Sequence, residues 1–175
     1  MSTFDAALLV LRLGIGLIFA VHGAQKLFGV FGGAGLDKTG AGFEHLGLTP
    51  GTPMAALAGG SELVGGTLIA IGALHPLGPI AVSGTMIVAT VVHAPNGPLS
   101  QKGGYELALT NLGFAALVAA VGPGRHALGG HLPSNATAVV GGIAAGLTGI
   151  AIVKVVRKRR QRSSAGAAAS AAAVG

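Results

Sequence analysis

The sequence predicts an all-α membrane protein: a four-helix transmembrane bundle core followed by a fifth C-terminal transmembrane helix. Three observations predict it. Of the 175 residues, 51% are hydrophobic and only 9% are charged, with a mean hydropathy of +0.73. A soluble domain carries about 25% charged residues, so this chain cannot cover a globular surface. Apolar runs near the roughly 20 residues needed to cross hydrocarbon recur between Gly- and Pro-rich turns. The 32 glycines would penalise helices in water, but they let helices approach closely in lipid.

The elements follow in order. A short polar lead, 1–5, precedes span one at about Ala6 to Phe28. Residues 29–51 read as a Gly-rich loop, in which Phe43 and Leu46 could lay one helical turn on the membrane interface. Pro53 suits a helix's first turn, and span two runs from there to about Leu74 with Glu62 near its middle. His75-Pro76-Leu77-Gly78-Pro79 is a tight turn. Span three covers about Ile80 to His93, or starts earlier at Pro76. The APNGPLSQKGG stretch at 94–104 is a loop, and span four runs from about Tyr105 to Val121. Span five covers about Ala136 to Val156, and the Ser/Ala/Gly-rich 163–175 is expected to be a disordered tail. The division is therefore a four-helix core at 1–122, a connecting loop and fifth helix at 123–156, and a basic segment with a tail at 157–175.

Composition narrows the chemistry. The absence of cysteine excludes disulfides, thiolate metal sites and thiol relays within the chain. The net charge of +6 is concentrated in Lys154, Arg157, Lys158, Arg159, Arg160 and Arg162. Directly after an apolar span, such a run reads as a topology signal and anionic-lipid contact rather than a nucleic-acid site. It places the C-terminus in the cytoplasm of a cell whose inner, or plasma, membrane the chain crosses several times. With five spans, the N-terminus then lies outside; a four-span count would put it inside. No cleavable signal peptide is expected, because no basic residue precedes Arg12 and the apolar run exceeds an h-region.

Span one carries the chemistry. Arg12, His22 and Lys26 interrupt it, and charges within a span face a partner or a polar cavity. At about 100° per residue, Lys26 lies roughly 40° and His22 roughly 80° from Arg12, so the three share a stripe. Gly16, Ala20 and Ala24 repeat every four residues on another face, inviting a second helix. Helical rise sets Glu62 at a depth similar to His22, with His93 and Glu106 near the same rim and Thr110 on the face of Glu106. Arg12 lies deeper, with a side chain long enough to reach toward Glu62. Lys26, His93 and Glu106 also fit plain snorkelling at span ends, and Arg12 with Glu62 fits a packing ion pair. The set together suggests a polar pocket that handles protons or a quinone-like head group. No metal site is expected, since no tight ligand spacing is present.

These residues also carry a resemblance. Arg12-Leu-Gly-Ile-Gly-Leu-Ile-Phe, His22-Gly23 and Lys26-Leu27 resemble the first helix of the DoxX family. Gly42-Phe43, Leu46-Gly47-Leu48-x-Pro50, Glu62-Leu-Val-Gly65-Gly66, Asn96-Gly97 and Gly104-Tyr105-Glu106 are similar too, over about Leu8 to Gly122. The resemblance implies a small bacterial inner-membrane protein on a four-helix core, associated with redox function. One relative is the small membrane subunit of a thiosulfate:quinone oxidoreductase. A mycobacterial member assembles with a superoxide dismutase and a sulfurtransferase.

The expected function is thus the membrane subunit of a quinone-linked or oxidant-defence oxidoreductase. His22, Glu62 and Arg12 are the candidate catalytic residues, with Arg12 holding Glu62 ionised. Lys26, His93, Glu106 and Thr110 are the candidate substrate-binding residues. No cofactor is expected within the chain itself; quinone is the ligand the pocket could take. Expected partners are the lipid bilayer, a soluble redox enzyme and a second copy of the chain, with no nucleic acid. Alternatives are a non-catalytic scaffold docking redox enzymes through 29–51 and 94–104, and a small transporter or lipid-binding protein.

Overall fold

The computed structural model describes residues 2–172. Six helices follow in order: α1 (Thr3–Phe28), α2 (Gly35–Leu46), α3 (Gly51–Ile71), α4 (Leu77–His93), α5 (Glu106–Val121) and α6 (Ser134–Ala172). Two short 3-10 turns link α4 to α5. No strand forms among the described residues; His75 and His131 make one isolated bridge. Four helical segments are long and apolar enough to cross a membrane: α1, α3, α4 together with the 3-10 turn that continues it to Asn96, and α6. α5 has 16 residues, about 24 Å of rise, and still joins the two ends of the bundle.

Local signals set the helix ends. Ser2 Oγ accepts the Asp5 N–H at 3.1 Å and caps α1. Gly29, Gly47 and Gly72 end α1, α2 and α3 in the left-handed conformation. Glu44 on α2 accepts the Gly51 N–H at 3.1 Å, using one free donor at the start of α3.

The pattern of burial is that of a protein in lipid. Arg12, Glu62 and Asn111 are buried inside. Val10, Leu17, Val64, Leu117, Ile143 and Val153 point outward. In water that outward face would be an aggregation site; in hydrocarbon it is solvated. α1 packs most intimately on α3. A methyl group at Gly16 would lie 2.5 Å from the Ala70 nitrogen, and one at Gly66 would lie 2.5 Å from the Gly16 carbonyl. The two backbones therefore touch, as small residues permit in a membrane. The buried face of α1 is Leu8, Arg12, Gly16, Phe19 and Gly23, and Gly16 and Ala20 of the four-residue Gly/Ala repeat lie against Gly66 of α3. Phe19, Ile69, Val82, Met86, Ala115 and Val118 fill the middle of the bundle.

The bundle has two distinct ends. At the basic end lie the C-terminus of α1, α2, the start of α3 and the end of α4. There Lys154 donates to the Thr49 carbonyl at 2.7 Å, and Arg159 donates to the Val91 and Val92 carbonyls at 2.8 and 2.7 Å. At the histidine end, the 122–133 loop folds over the 72–76 turn, with Leu132 N–H bonded to the His75 carbonyl at 2.8 Å.

Two expectations need correction. The 29–51 loop holds a 12-residue helix, α2, rather than a single turn. Residues 163–172 are helical as the continuation of α6, not a disordered tail. Alanine is the best helix former, and a helix already nucleated within the span extends cheaply through the Ala-rich stretch. Residues 173–175 lie outside the described residues.

Candidate functional site

A cavity of about 460 Å³ opens in the half of the bundle toward the basic end. All six helices contribute to its wall, and most of that wall is apolar, including Met54, Leu57, Met86, Val88 and Leu147. The polar groups that reach it include His22, Lys26, Ser61, Glu62, His93 and Asn111, with the hydroxyl residues Thr85, Ser100 and Thr148.

Lys26 and Glu62 form an ion pair, the one salt bridge among the described residues. The Gly-mediated approach of α1 and α3 creates it, because it brings these two side chains within reach. The pair is lopsided: the Glu62 side chain is 3% exposed and that of Lys26 28%. In apolar surroundings the buried Glu62 charge is costly without its partner, and together the pair presents one neutral polar surface to the cavity. His93 Nδ1 donates to the Gly103 carbonyl at 2.8 Å. A carbonyl can only accept, so Nδ1 carries a proton, and in the neutral ring Nε2 is then the acceptor. Asn111 is 9% exposed and reaches the cavity from α5. His22 is half-buried and lines the cavity beside Lys26.

The structure thus brings together His22, Lys26, Glu62 and His93, and separates three other expected members. Arg12 does not pair with Glu62. Its guanidinium lies against Gly72, ten residues beyond Glu62 on α3 and roughly 15 Å away along the helix. There Arg12 donates from Nη2 to the His126 carbonyl at 2.9 Å, while Nε and Nη1 have no partner. The C-terminal end of α3, where the guanidinium sits, offsets its charge through the helix dipole. The cation paired with Glu62 is Lys26, not Arg12. Glu106 is tied elsewhere, accepting the Ser100 N–H at 2.7 Å and fixing the 94–104 turns. Thr110 is exposed on the outer face of α5. The buried stripe of α5 is Ala108, Asn111, Ala115 and Val118, so Asn111, about 100° around from Thr110, faces inward instead.

Sequence reasoning missed Asn111 and Ser61 as cavity residues. The signal was present: both are polar side chains in apolar spans, one step from residues already singled out. At the histidine end, His75 is buried, and its ring packs edge-on against His131 at 5.2 Å between centroids. Burial, and then the charge of His131, hold the His75 imidazole below its ordinary value. No group of residues with metal-binding geometry is found among those described.

No curated protein and no solved structure matches the chain. A family model described as DoxX matches residues 7–94, which takes in α1 through α4 together with His22, Lys26, Glu62 and His93. That match covers just over half of a multi-pass membrane chain and takes in most of the polar wall of the cavity, and the chain belongs to the DoxX family.

Proposed function

We propose that the chain is the membrane subunit of an oxidoreductase system and that its cavity receives the head group of a quinone. One observation carries this reading: a cavity of about 460 Å³ whose wall is mostly apolar and carries four ionisable side chains, His22, Lys26, Glu62 and His93. A flat head group with carbonyl oxygens and an apolar tail fits that division. The Lys26–Glu62 pair is neutral overall, so it favours a neutral polar ligand over an anionic one. Lys26 Nζ and the Asn111 amide can donate to carbonyl oxygens, and His93 Nε2 can accept from a hydroxyl. α1 and α5 barely touch, which leaves a flank of the bundle through which a lipid-soluble ligand could enter.

The residues present fit such a ligand, which would supply the two-electron chemistry that no side chain of this chain can. The chain's part is to bind, orient and move protons. Glu62 and His22 are the groups placed to exchange protons at the cavity wall. Arg12 has no part in this, being held at the other end. The basic end is read as cytoplasmic and the membrane as the bacterial inner membrane, on the charge of α6.

A scaffold role is the second reading, favoured by α6. Its 39 residues span roughly 58 Å, well beyond the roughly 30 Å hydrocarbon core, and carry the basic run outward as a rigid helix. A soluble redox partner could dock there. Photolabelling with an azido-quinone in native membranes separates the readings. Adducts on peptides containing His22–Lys26, Ser61–Glu62 and Asn111 are expected. Adducts spread over the lipid-facing surface, with none at these positions, would refute the quinone site.

A further inference from the structure

His22 and Lys26 line a second cavity as well as the first. It measures about 360 Å³ and lies between the end of α1, the 29–34 loop and α2, where Gln25, Gly33, Ala34 and Thr39 complete its wall. Its frame is held by polar bonds. Gln25 Nε2 donates to the Phe31 carbonyl at 3.0 Å, and Thr39 Oγ1 lies 3.5 Å from the Lys26 carbonyl. It sits at the basic end, in the last turns of α1. Asp37 and Lys38 on α2 are exposed and lie outside its wall.

Glu62 is too buried to meet water directly, and its partner Lys26 is the more exposed of the pair. Toward the histidine end the way is closed. Phe19, Ile69, Val82 and Val118, each no more than 2% exposed, fill the bundle between Glu62 and the 72–76 turn. We propose that the second cavity is a water-filled inlet through which Glu62 exchanges protons with the aqueous phase at the basic end, His22 acting as the relay between the two cavities. An imidazole suits the task, since one ring nitrogen can take a proton from the inlet while the other gives one up. Each proton entering at the second cavity leaves into the first, onto the Glu62 carboxylate or onward to a bound head group, and no electron moves in this step. The use of these protons rests on the quinone reading; the existence of the inlet does not.

A carbodiimide tests the inlet, because it crosses bilayers and modifies a carboxyl group only in its protonated form. The full chain is reconstituted in vesicles, its orientation read by protease cleavage of the basic segment of α6. The pH is set separately on the two sides, and the Glu62 adduct is measured by mass spectrometry. Labelling should rise when the basic side is acidified and stay constant when only the far side is. Thr39→Phe, which fills the inlet, should slow that response severalfold, and Thr39→Ala should preserve it. Labelling that follows the far side, labelling in Thr39→Phe as fast as in the wild type, or no labelling at any pH would each overturn the inlet. Should Thr39→Phe not fold, the sidedness of the wild type decides alone. Quinone is measured in the same preparation. Retained quinone with far-side labelling overturns the inlet and leaves the ligand reading standing; basic-side labelling without quinone does the reverse.

Discussion

Replacing Lys26 by methionine should harm the protein far more than replacing Glu62 by glutamine. The reason is the lopsided burial of the pair, 3% exposed at Glu62 and 28% at Lys26. Lys26→Met leaves a carboxylate in an apolar interior without its ionic partner. Removing one member of a buried pair costs about 3–5 kcal/mol. Glu62→Gln leaves a lysine that can extend into the second cavity toward water and still donate to the amide oxygen. Partly exposed pairs are worth about 0–1 kcal/mol. The difference is therefore about 2–5 kcal/mol. For a chain of this length it corresponds to a gap in Tm on the order of 10 °C. Thermal unfolding followed by circular dichroism, with both variants in one detergent, measures the gap. Combining the two substitutions removes both charges, so the double variant should regain most of the loss. Equal losses, the opposite order, or a double variant as poor as the sum of the singles would refute the reasoning.

Other predictions concern the frame of the site. Gly16→Leu drives a side chain into the α3 backbone, 2.5 Å from the Ala70 nitrogen, so it should cost at least the about 1–3 kcal/mol typical of overpacking. Gly14→Ala, with open space around it, should leave the Tm unchanged. Arg12→Met removes the bond to the His126 carbonyl together with two unpartnered buried nitrogens, so net stability should move little. Hydrogen exchange in the 126–132 loop should nevertheless rise, and an unchanged loop would show that Arg12 does not hold it. His75 is held below its ordinary value of 6.5, so the unfolded chain takes up a proton before the folded one does. Its contribution is intact above that value and is lost as pH falls toward the lower folded value. The Tm should therefore drop on acidification, and His75→Gln should flatten that drop; an equally steep profile in the variant would remove His75 as the cause.

Depth in the bundle was legible in the sequence, whereas rotation and partnership were less so. Counting residues from the span ends placed His22, Lys26, Glu62, His93 and Glu106 in one half of the bilayer, and the structure gathers all but Glu106 around one cavity. Helical rise is nearly constant, so such a count survives small errors at the boundaries. Rotation does not: one residue turns a side chain by about 100°, which is why Asn111 and not Thr110 faces inward. Partnership failed for Arg12, because the 122–133 loop that receives it has no periodicity to show where it folds back. α2 was missed because GLDKTGAGF looks like a loop by its glycines, and only packing on α3 makes it a helix. The helical 163–172 was missed for the opposite reason, since low complexity outweighed the helix preference of its alanines.

The central claim is that the cavity beside Lys26 and Glu62 holds a quinone. Its most direct test is the quinone content of the full chain purified from native membranes in a mild detergent, compared with a Ser61→Phe variant that fills the cavity next to the pair. The account predicts near-stoichiometric quinone in the wild type and its loss in a folded Ser61→Phe protein. Wild-type protein without quinone, or equal amounts in both, would contradict it.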